Sequence, residues 1–516
     1  MNPFVETRAA PDKPAIVVGE REMSYRDLDR TARLTALALA KLGLARGETV
    51  AILAPNSPEF FVPAWAAQRS GLYFTPIGRH LRASEIAYIL ADSGARALFV
   101  DQSLAERASD ALRELAGAKP TLIGLCGEIV GVPSLAEFMA RADEAAVLED
   151  VEGGDLLYTS GTTGRPKGVK RPLSLAPFGS DTRRVKRLSE LFGMDADTVF
   201  YTPAPIYHAA PLRFAMTAIR MGATLALDEK FEASTALMTL ERRRVTHSQW
   251  APIMFVRLLQ LPESERAAFR APTHLKAIHS GAPCAVAVKR AMIDWWGPIL
   301  HEYYSGTESA GFTHLTSEEW LKRPGSVGKP WGCKAHILAD DGRELGPNAI
   351  GAVHFEGTSG LSYHNDEAKT REAHSPQGWA TMGDIGYLDD GGYLFLCDRK
   401  NFVIISGGVN IYPREIEEVL ESHPDVLEAA VFGLPDDEFG ENVQAVIQLR
   451  APEREGAPLA EELHGFVRSR LAGFKAPKRI AFERDLPRLP NGKMEKRRLR
   501  DEYRDRSERG FAPVKP

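Results

Sequence analysis

Cysteine is scarce in this chain: four in 516 residues, at Cys126, Cys284, Cys333 and Cys397, far apart, with no CxxC pair and no clustering with histidine. That pattern excludes a disulfide framework and a zinc site of ordinary ligand spacing, and reads as reduced thiols. Long hydrophobic runs are missing too, since nothing approaches the about 18 consecutive apolar residues of a membrane-spanning helix. The opening MNPFVETRAAPDKPAI has neither a basic start nor an apolar stretch, so no export signal is read there and a soluble, cytoplasmic protein is expected. There is no basic excess: the formal charge is −5, which argues against nucleic acid as the main partner. No short-period repeat is visible, which disfavours a solenoid or propeller.

What is present is ordinary globular material, 44% apolar, in a chain too long for one hydrophobic core. The first 150 residues alternate helical and strand patterns. Ser24 is placed to cap a helix reaching about Leu42, with Leu28, Ala32, Leu39 and Leu42 near one face. Strands are expected at residues 50–54, 73–77 and 97–101, with helices at 57–70 and 84–92 between them. The same rhythm returns at 198–202, 212–221, 224–227, 234–243 and 277–280, and predicts helix-covered, mostly parallel sheets. Between 325 and 399 the texture changes to short strands separated by turns such as Asp340-Asp341-Gly342 and Asp389-Asp390-Gly391-Gly392, the pattern of hairpins and a small distorted barrel. A new α+β unit begins near Asn401, with strands at 402–405, 426–432 and 444–449 and helices at 413–422 and 459–471. The fold class expected is therefore α/β, with a large domain at 1–400 and a small mobile domain at 401–516. The charged end, RDRSERGFAPVKP, is expected to be disordered.

The composition breaks most sharply at YTSGTTGRPKGV, residues 158–169, where seven of twelve residues are Gly, Ser or Thr. Glycines let a backbone approach a ligand closely, consecutive N–H groups can face phosphate oxygens, and the hydroxyls of Thr159, Ser160, Thr162 and Thr163 add donors. Lys167 brings charge. The run is not a Walker loop, because Arg165-Pro166 separates Gly164 from Lys167.

Four more stretches follow in order: Tyr304-Ser305-Gly306-Thr307-Glu308; Thr381-Met382-Gly383-Asp384; Asp398-Arg399-Lys400 with Ser406-Gly407-Gly408-Val409-Asn410-Ile411-Tyr412-Pro413; and Pro490-Asn491-Gly492-Lys493. With the Gly/Thr loop, they make the chain resemble, over nearly its whole length, the adenylate-forming superfamily of acyl-CoA synthetases, adenylation domains and firefly luciferase. The resemblance implies two half-reactions. A carboxylate attacks the α-phosphorus of ATP, giving acyl-adenylate and pyrophosphate; a thiol then displaces AMP.

By that resemblance, Thr159, Ser160, Gly161, Thr162, Thr163, Gly164 and Lys167 surround the β- and γ-phosphates. Glu308 offers the hard oxygen ligands that Mg²⁺ prefers, with Thr163 as the second candidate ligand. Gly281, Ala282 and Pro283 form a ledge for adenine and Tyr304 a flat face, and Tyr303, Ser305, Gly306, Thr307 and Leu396 complete the nucleotide-binding set. Asp384 presents two acceptors to the ribose hydroxyls, and Arg399 donates to the same sugar. Lys493, on a terminal loop, is the catalytic lysine of adenylation: its ammonium bridges carboxylate and phosphate. Gly407 and Gly408 line the pantetheine tunnel of the second half-reaction, reached by rotation about a hinge at Asn401. His208 is either a gate between ATP and acyl pockets or a structural histidine. Trp250, Met254 and Gly281 are acyl-pocket linings by position, or core.

Three residues depart from the family pattern: Asn401 where Asp or Lys is usual, Ser305 for a common Gly, and Leu489 for a frequent Thr. Asn tolerates unusual backbone angles, so a hinge can survive there. No basic residue is evidently placed to bind a second carboxylate, so the expected activity is an AMP-forming acyl-CoA synthetase for a monocarboxylic, fatty or alicyclic acid. The variant EYYSGTE looks most like bacterial fatty-acyl and bile-acid CoA ligases. Alternatives are an aryl-CoA ligase, an acyl-AMP ligase loading a separate carrier protein, and a silent nucleotide-binding scaffold. The expected small molecules are the acid, ATP, CoA and Mg²⁺, and a homodimer is the family-level expectation.

Overall fold

The computed structural model describes residues 2–3, 10–159, 166–358, 361–399, 402–407, 409–436, 438–489 and 492–508. Packing divides the chain into two compact units, one of Met1–His279, Gly306–Ser309 and Ser359–Glu372, the other of Ser280–Ser305, Ala310–Thr358 and Ala373–Pro516.

In the first unit, Ser24 caps the helix Tyr25–Lys41 by accepting from the Asp27 amide at 3.1 Å. Leu28, Ala32 and Leu39 are buried on its inner face, each leucine worth roughly 1.5–3 kcal/mol. Strands Thr121–Cys126, Ala95–Asp101, Thr49–Leu53, Tyr73–Pro76, Gly154–Thr159 and Lys167–Lys170 lie side by side in that order. All neighbours run parallel except the last, which returns antiparallel. Every residue of Thr49–Leu53 is buried, so the strand reads as an unbroken apolar run instead of alternating. The helix expected at 57–70 opens as a 3-10 turn, Pro58–Phe60, capped by Ser57, before Phe61–Arg69 continues as α-helix. A second parallel set runs Lys276–His279, His247–Trp250, Val199–Thr202, Thr224–Leu227, Pro14–Val18, and is closed at its edge by the antiparallel Arg21–Ser24.

A polar thread crosses this core. Trp250 Nε1 donates to Ser248 Oγ at 2.6 Å, and Ser248 Oγ lies 2.6 Å from His274 Nε2. Burial, helped by neighbouring His247, pushes the His274 pKa down to about 3 from its ordinary 6.5. The unfolded chain therefore takes up the proton first: stability is complete above the unfolded pKa and is lost as pH falls towards the folded one, by at most about 1.4 kcal/mol per pH unit. His274→Gln is expected to flatten this slope. Urea midpoints measured at pH 7 and pH 5 check it, and an identical slope in the variant would refute the assignment.

In the second unit, strands Lys334–Leu338, Gly351–Glu356, Asp384–Leu388, Leu394–Arg399, Ser326–Pro330, Thr313–Leu315 and Leu300–Tyr304 follow one another in an antiparallel run. Both expected turns are there: Gly342 and Gly392 have φ of 80° and 74°, the left-handed region that glycine enters without strain. Beyond them, strands Ile404–Ser406, Val409–Ile411, Val426–Asp436, Gly440–Leu449 and Arg479–Phe482 and helices Pro413–Glu421 and Ala457–Arg468 enclose a core that includes Ile411, Ile416, Leu420, Val431, Val443, Ile447, Leu463 and Val467.

The expectation of disorder from Arg504 onward is corrected over its first part, because Lys496–Glu508 is a helix. Leu499 and Tyr503, four residues apart on one face, are both 2% exposed and pack with Phe432 and Leu486. Tyr503 also donates to Glu483 Oε1 at 2.8 Å. Two buried anchors outweigh a charged average composition. No helix among the described residues is long and apolar enough to cross a membrane.

Candidate active site

Strand Gly154–Thr159 and strand Lys167–Lys170 are the two arms of a hairpin, with Thr159 opposite Lys167 at its loop end. Of the residues expected in the loop between them, Ser160, Gly161, Thr162, Thr163 and Gly164 lie outside the described residues. Residues 361–366 lie against the outer arm: Lys170 N donates to Ser362 O at 3.2 Å, and His364 N to Gly168 O at 2.7 Å. This apposition carries Tyr363 to two of the expected site residues. Its hydroxyl donates to Glu308 Oε1 at 3.1 Å, and Lys167 Nζ stands 5.9 Å from its ring centroid. Lys167 Nζ is also 3.9 Å from Asp366 Oδ2. In this unit the structure thus brings together Thr159, Lys167 and Glu308, and adds Tyr363 and Asp366, which the sequence did not single out. Tyr363 lies 55 residues from Glu308, and no spacing rule links them.

The Gly306-Thr307-Glu308 stretch is held from below by Arg213, which donates to Thr307 O at 2.8 Å and Ser309 Oγ at 3.1 Å. Ser309 has φ of 50°, an unusual left-handed conformation for serine. Its amide closes a turn on Gly306 O at 3.0 Å. Glu308 is half-buried with one oxygen accepting from Tyr363, so its carboxylate keeps hard-oxygen capacity for a divalent cation.

His208 precedes the helix Ala209–Arg220 with extended backbone, half-buried, its ring 4.3 Å from that of Tyr207. Burial pushes the Tyr207 phenol up to about 12, so it is neutral near pH 7. Trp250 is 2% exposed, its indole N–H committed to Ser248, and its ring packs 5.7 Å from Tyr201 and 6.0 Å from Phe255. Met254 is 4% exposed.

The second unit holds the expected nucleoside-binding residues. Tyr304 donates through its hydroxyl to Asp384 Oδ2 at 2.5 Å, and Arg399 Nε lies 3.3 Å from Asp384 Oδ1. Strand pairing sets this up, since Asp384 sits opposite Arg399 across the ladder. Tyr303 is buried and stacks on Phe312 at 5.1 Å. Ser305, the departure from glycine, turns its hydroxyl to Gly311 O at 2.7 Å. Leu396 packs with Tyr304 and Met382 on the cluster around Phe355. In the Gly281-Ala282-Pro283 stretch, Gly281 has φ of 89° and Gly281 and Pro283 are exposed.

Gly407 is exposed at φ 57°, its amide donating to Phe439 O at 2.8 Å; Gly408 and Asn401 lie outside the described residues. Lys493 is exposed at the end of a tight turn in which Leu489 N donates to Lys493 O and Gly492 N to Leu489 O, both at 2.8 Å. Arg488 fastens that turn, donating to Gly492 O at 2.6 Å and pairing with Glu428.

A family model described as AMP-binding enzyme matches residues 5–362, and one described as AMP-binding enzyme C-terminal domain matches residues 415–493. The long-chain-fatty-acid–CoA ligase FadD13 of Mycobacterium tuberculosis is 34% identical over 497 residues, 93% of either chain. The fatty acid–[acyl-carrier-protein] ligase ScoC of Streptomyces coeruleorubidus is 31% identical, over 96% of this chain and 94% of that one. Among solved structures, the amide bond synthetase McbA of Marinactinospora thermotolerans superposes with a TM-score of 0.86 at 27% identity, over 97% of this chain and 99% of its own. With matches from the Gly/Thr hairpin through the lysine turn, this chain belongs to the AMP-binding enzyme family, the adenylate-forming superfamily that contains the AMP-forming acid–CoA ligases.

Proposed function

We propose that this enzyme converts a monocarboxylic fatty or alicyclic acid, ATP and CoA to acyl-CoA, AMP and pyrophosphate through an acyl-adenylate. The single observation that carries the reading is the convergence of Lys167, Tyr363 and Glu308 at the loop end of the Gly/Thr hairpin. A cation and hydroxyl donors there meet the charge that grows on phosphate oxygens during displacement. Tyr363 also fixes one Glu308 oxygen. Glu308, with Thr163 from the loop, is the set that fits Mg²⁺, which supplies charge neutralisation at the phosphates when bound.

Asp384 is assigned to the ribose, oriented by Tyr304 and Arg399 before any sugar arrives. Lys493 is assigned to the carboxylate–phosphate bridge, Gly407 and Gly408 to the pantetheine tunnel, and Asn401 to the hinge about which residues 401–516 turn as one body. His208, at the head of its helix beside Tyr207, is assigned the gate between ATP and acyl pockets. Met254 and Gly281 are assigned to the acyl pocket; Trp250, with its N–H satisfied by Ser248, contributes a ring wall at most.

Removing the Asp384 carboxylate takes away charge-assisted hydrogen bonds worth about 1.5–3 kcal/mol each. Asp384→Ala is therefore expected to raise KM for ATP by roughly 10–100-fold, with a smaller fall in kcat. Steady-state kinetics at saturating acid and CoA read this, and an unaltered KM would remove Asp384 from the site.

The reading as a whole is tested by pyrophosphate release across straight-chain and ring acids, with and without CoA. Acid-dependent release accompanied by CoA consumption is expected; no release with any acid would leave a silent binding protein. FadD13 is named for CoA and ScoC for a carrier protein. Release that proceeds without CoA consumption would move the acceptor assignment to a carrier.

A further inference from the structure

Glu308 sits in the four-residue stretch Gly306–Ser309 of the first unit, which lies between strands Leu300–Tyr304 and Thr313–Leu315 and belongs to neither. Ladder hydrogen bonds therefore do not fix it, and its place depends on side chains that reach it. Tyr363 reaches its carboxylate. Arg213, in the helix Ala209–Arg220, reaches its backbone: Nη1 donates to Thr307 O at 2.8 Å and to Ser309 Oγ at 3.1 Å, so the residues just before and just after Glu308 hang on one nitrogen. Ser309 is kept there at φ 50°, a conformation that persists only where the surroundings hold it.

The guanidinium is itself aimed. Its other edge makes a two-point pair with Asp155, Nε to Oδ2 at 3.0 Å and Nη2 to Oδ1 at 2.9 Å, and both side chains are buried. Asp155 stands in strand Gly154–Thr159, the arm that leads into the Gly/Thr loop. A guanidinium is planar and rigid, so a carboxylate gripping one edge sets the direction of the remaining nitrogen. Contacts thus run from that strand through Asp155 and Arg213 to the backbone on both sides of Glu308. The same helix carries a second such pair: Arg220, two turns and about 10 Å further along, donates to Glu152 through Nη1 at 2.7 Å and Nη2 at 3.1 Å, with its guanidinium 5.1 Å from the Phe178 ring centroid and 5.7 Å from that of Trp65. Both arginines pin the helix to the chain around 152–155, and Arg213 extends the hold to the Glu308 turn.

We propose that Arg213 is a positioning residue for Glu308: while Tyr363 holds one carboxylate oxygen, Arg213 sets where the Glu308 backbone stands and so how well that carboxylate meets a divalent cation carried in by ATP, an inference that rests on the assignment of Glu308 to Mg²⁺ in the ligase reading. Residues that orient a metal ligand without touching the metal change its affinity by about 10–100-fold when they are altered. Binding that needs no metal is left as it was. Lysine at 213 keeps a charge opposite Asp155, but offers one nitrogen where arginine has three in a fixed fork, so it does not span Asp155 and the turn together.

The test is calorimetric binding of ATP to the full chain, without acid or CoA, once in excess Mg²⁺ and once in EDTA. Wild type is expected to bind more tightly in Mg²⁺. For Arg213→Lys the Kd in Mg²⁺ is expected to rise about tenfold, while the Kd in EDTA stays that of wild type. Arg220→Lys weakens a pair of the same kind in the same helix; it is expected to lower Tm in thermal unfolding yet keep both Kd values, a split that general loosening of the helix does not give. Ser309→Ala deletes one acceptor and leaves both ion pairs, and gives a smaller rise of the same kind should Arg213→Lys fail to fold.

Glu308→Gln separates this role from the assignment beneath it. Should Glu308→Gln lose the Mg²⁺ advantage while Arg213→Lys and Ser309→Ala keep it, or should Arg220→Lys lose as much as Arg213→Lys, the positioning role is overturned and the assignment of Glu308 stands. A Glu308→Gln chain that keeps the advantage, or a wild type without one, overturns the metal assignment and the positioning role with it.

Discussion

Lys493→Ala is expected to lower acyl-adenylate formation by at least about 10²–10³-fold, the scale on which one preorganised charge contact at a reacting oxyanion acts. Thioester formation from supplied acyl-adenylate is expected to stay within a few-fold of wild type. On the proposed role the two half-reactions part, because a lysine that bridges carboxylate and α-phosphate is needed only while those two anions are brought into contact. The local structure suits that role. The turn carrying Lys493 is fixed at its base by Arg488 and by its own backbone hydrogen bonds, while the side chain is exposed.

The neighbouring cations are engaged elsewhere. Lys496 Nζ pairs with Glu417 at 2.6 Å and Asp398 at 3.6 Å, and Arg498 pairs with Glu502 at 2.8 Å. Lys496→Ala is therefore a destabilising change, not a second adenylation knock-out. Single-turnover assays of each half-reaction decide the matter; equal losses in both would refute the division of labour.

The largest stability effect is expected from Lys289. Its ammonium is fully buried, 2.6 Å from Glu302 Oε2 and 4.9 Å from the Trp320 ring centroid. Glu302 belongs to strand Leu300–Tyr304, which also carries Tyr303 and Tyr304, the residues proposed for the nucleoside. Burial raises the Glu302 pKa even with Lys289 pulling it down. Lys289→Met takes from that buried carboxyl the ammonium that pairs with it at 2.6 Å, a loss of about 3–5 kcal/mol.

The sign of its pH dependence follows. In the variant the folded Glu302 pKa is raised further above its unfolded value, so the protein is least destabilised when the carboxyl is protonated, and stability falls as pH rises through the folded value. Denaturant unfolding should accordingly show a larger deficit at pH 8 than at pH 5. The double variant Lys289→Met/Glu302→Leu should recover most of the loss, since a packed apolar pair avoids desolvating two charges. A deficit independent of pH would show that lost packing, not the buried carboxyl, is responsible.

Periodicity served well where an element carries its reason on its own surface. Ser24 ahead of Leu28, Ala32 and Leu39 is a cap plus one apolar face, and the helix is there. Thr224–Leu227 is a strand, as its short β-rich apolar run suggested. Pro14–Val18 and Thr121–Cys126 escaped, because short apolar runs beside proline or containing glycine look alike as strand or loop until a neighbour pairs with them. The first residues of the charged tail, 504–508, were misjudged for a related reason: they end a helix whose anchors, Leu499 and Tyr503, lie before the tail and pack on a sheet that the tail itself does not encode.

The candidate site divides in the same way. The Gly/Thr loop, Glu308, Asp384, Arg399 and Lys493 could be named as candidates because each lies in a contiguous motif of residue types suited to the chemistry. Tyr363, Asp366 and Arg213 were not, since nothing in their own neighbourhoods announces a partner. The arginines around Asp155 were equally hidden. Folding brings Arg184 and Arg213, from two separate helices, onto that one carboxylate. By itself the sequence determined the family, the order of its motifs and the enzyme class, an AMP-forming acid–CoA ligase. The tertiary structure alone decided which charges share a buried space, because the interaction between charges depends on their distance and on the water left between them, and neither quantity is written along the chain.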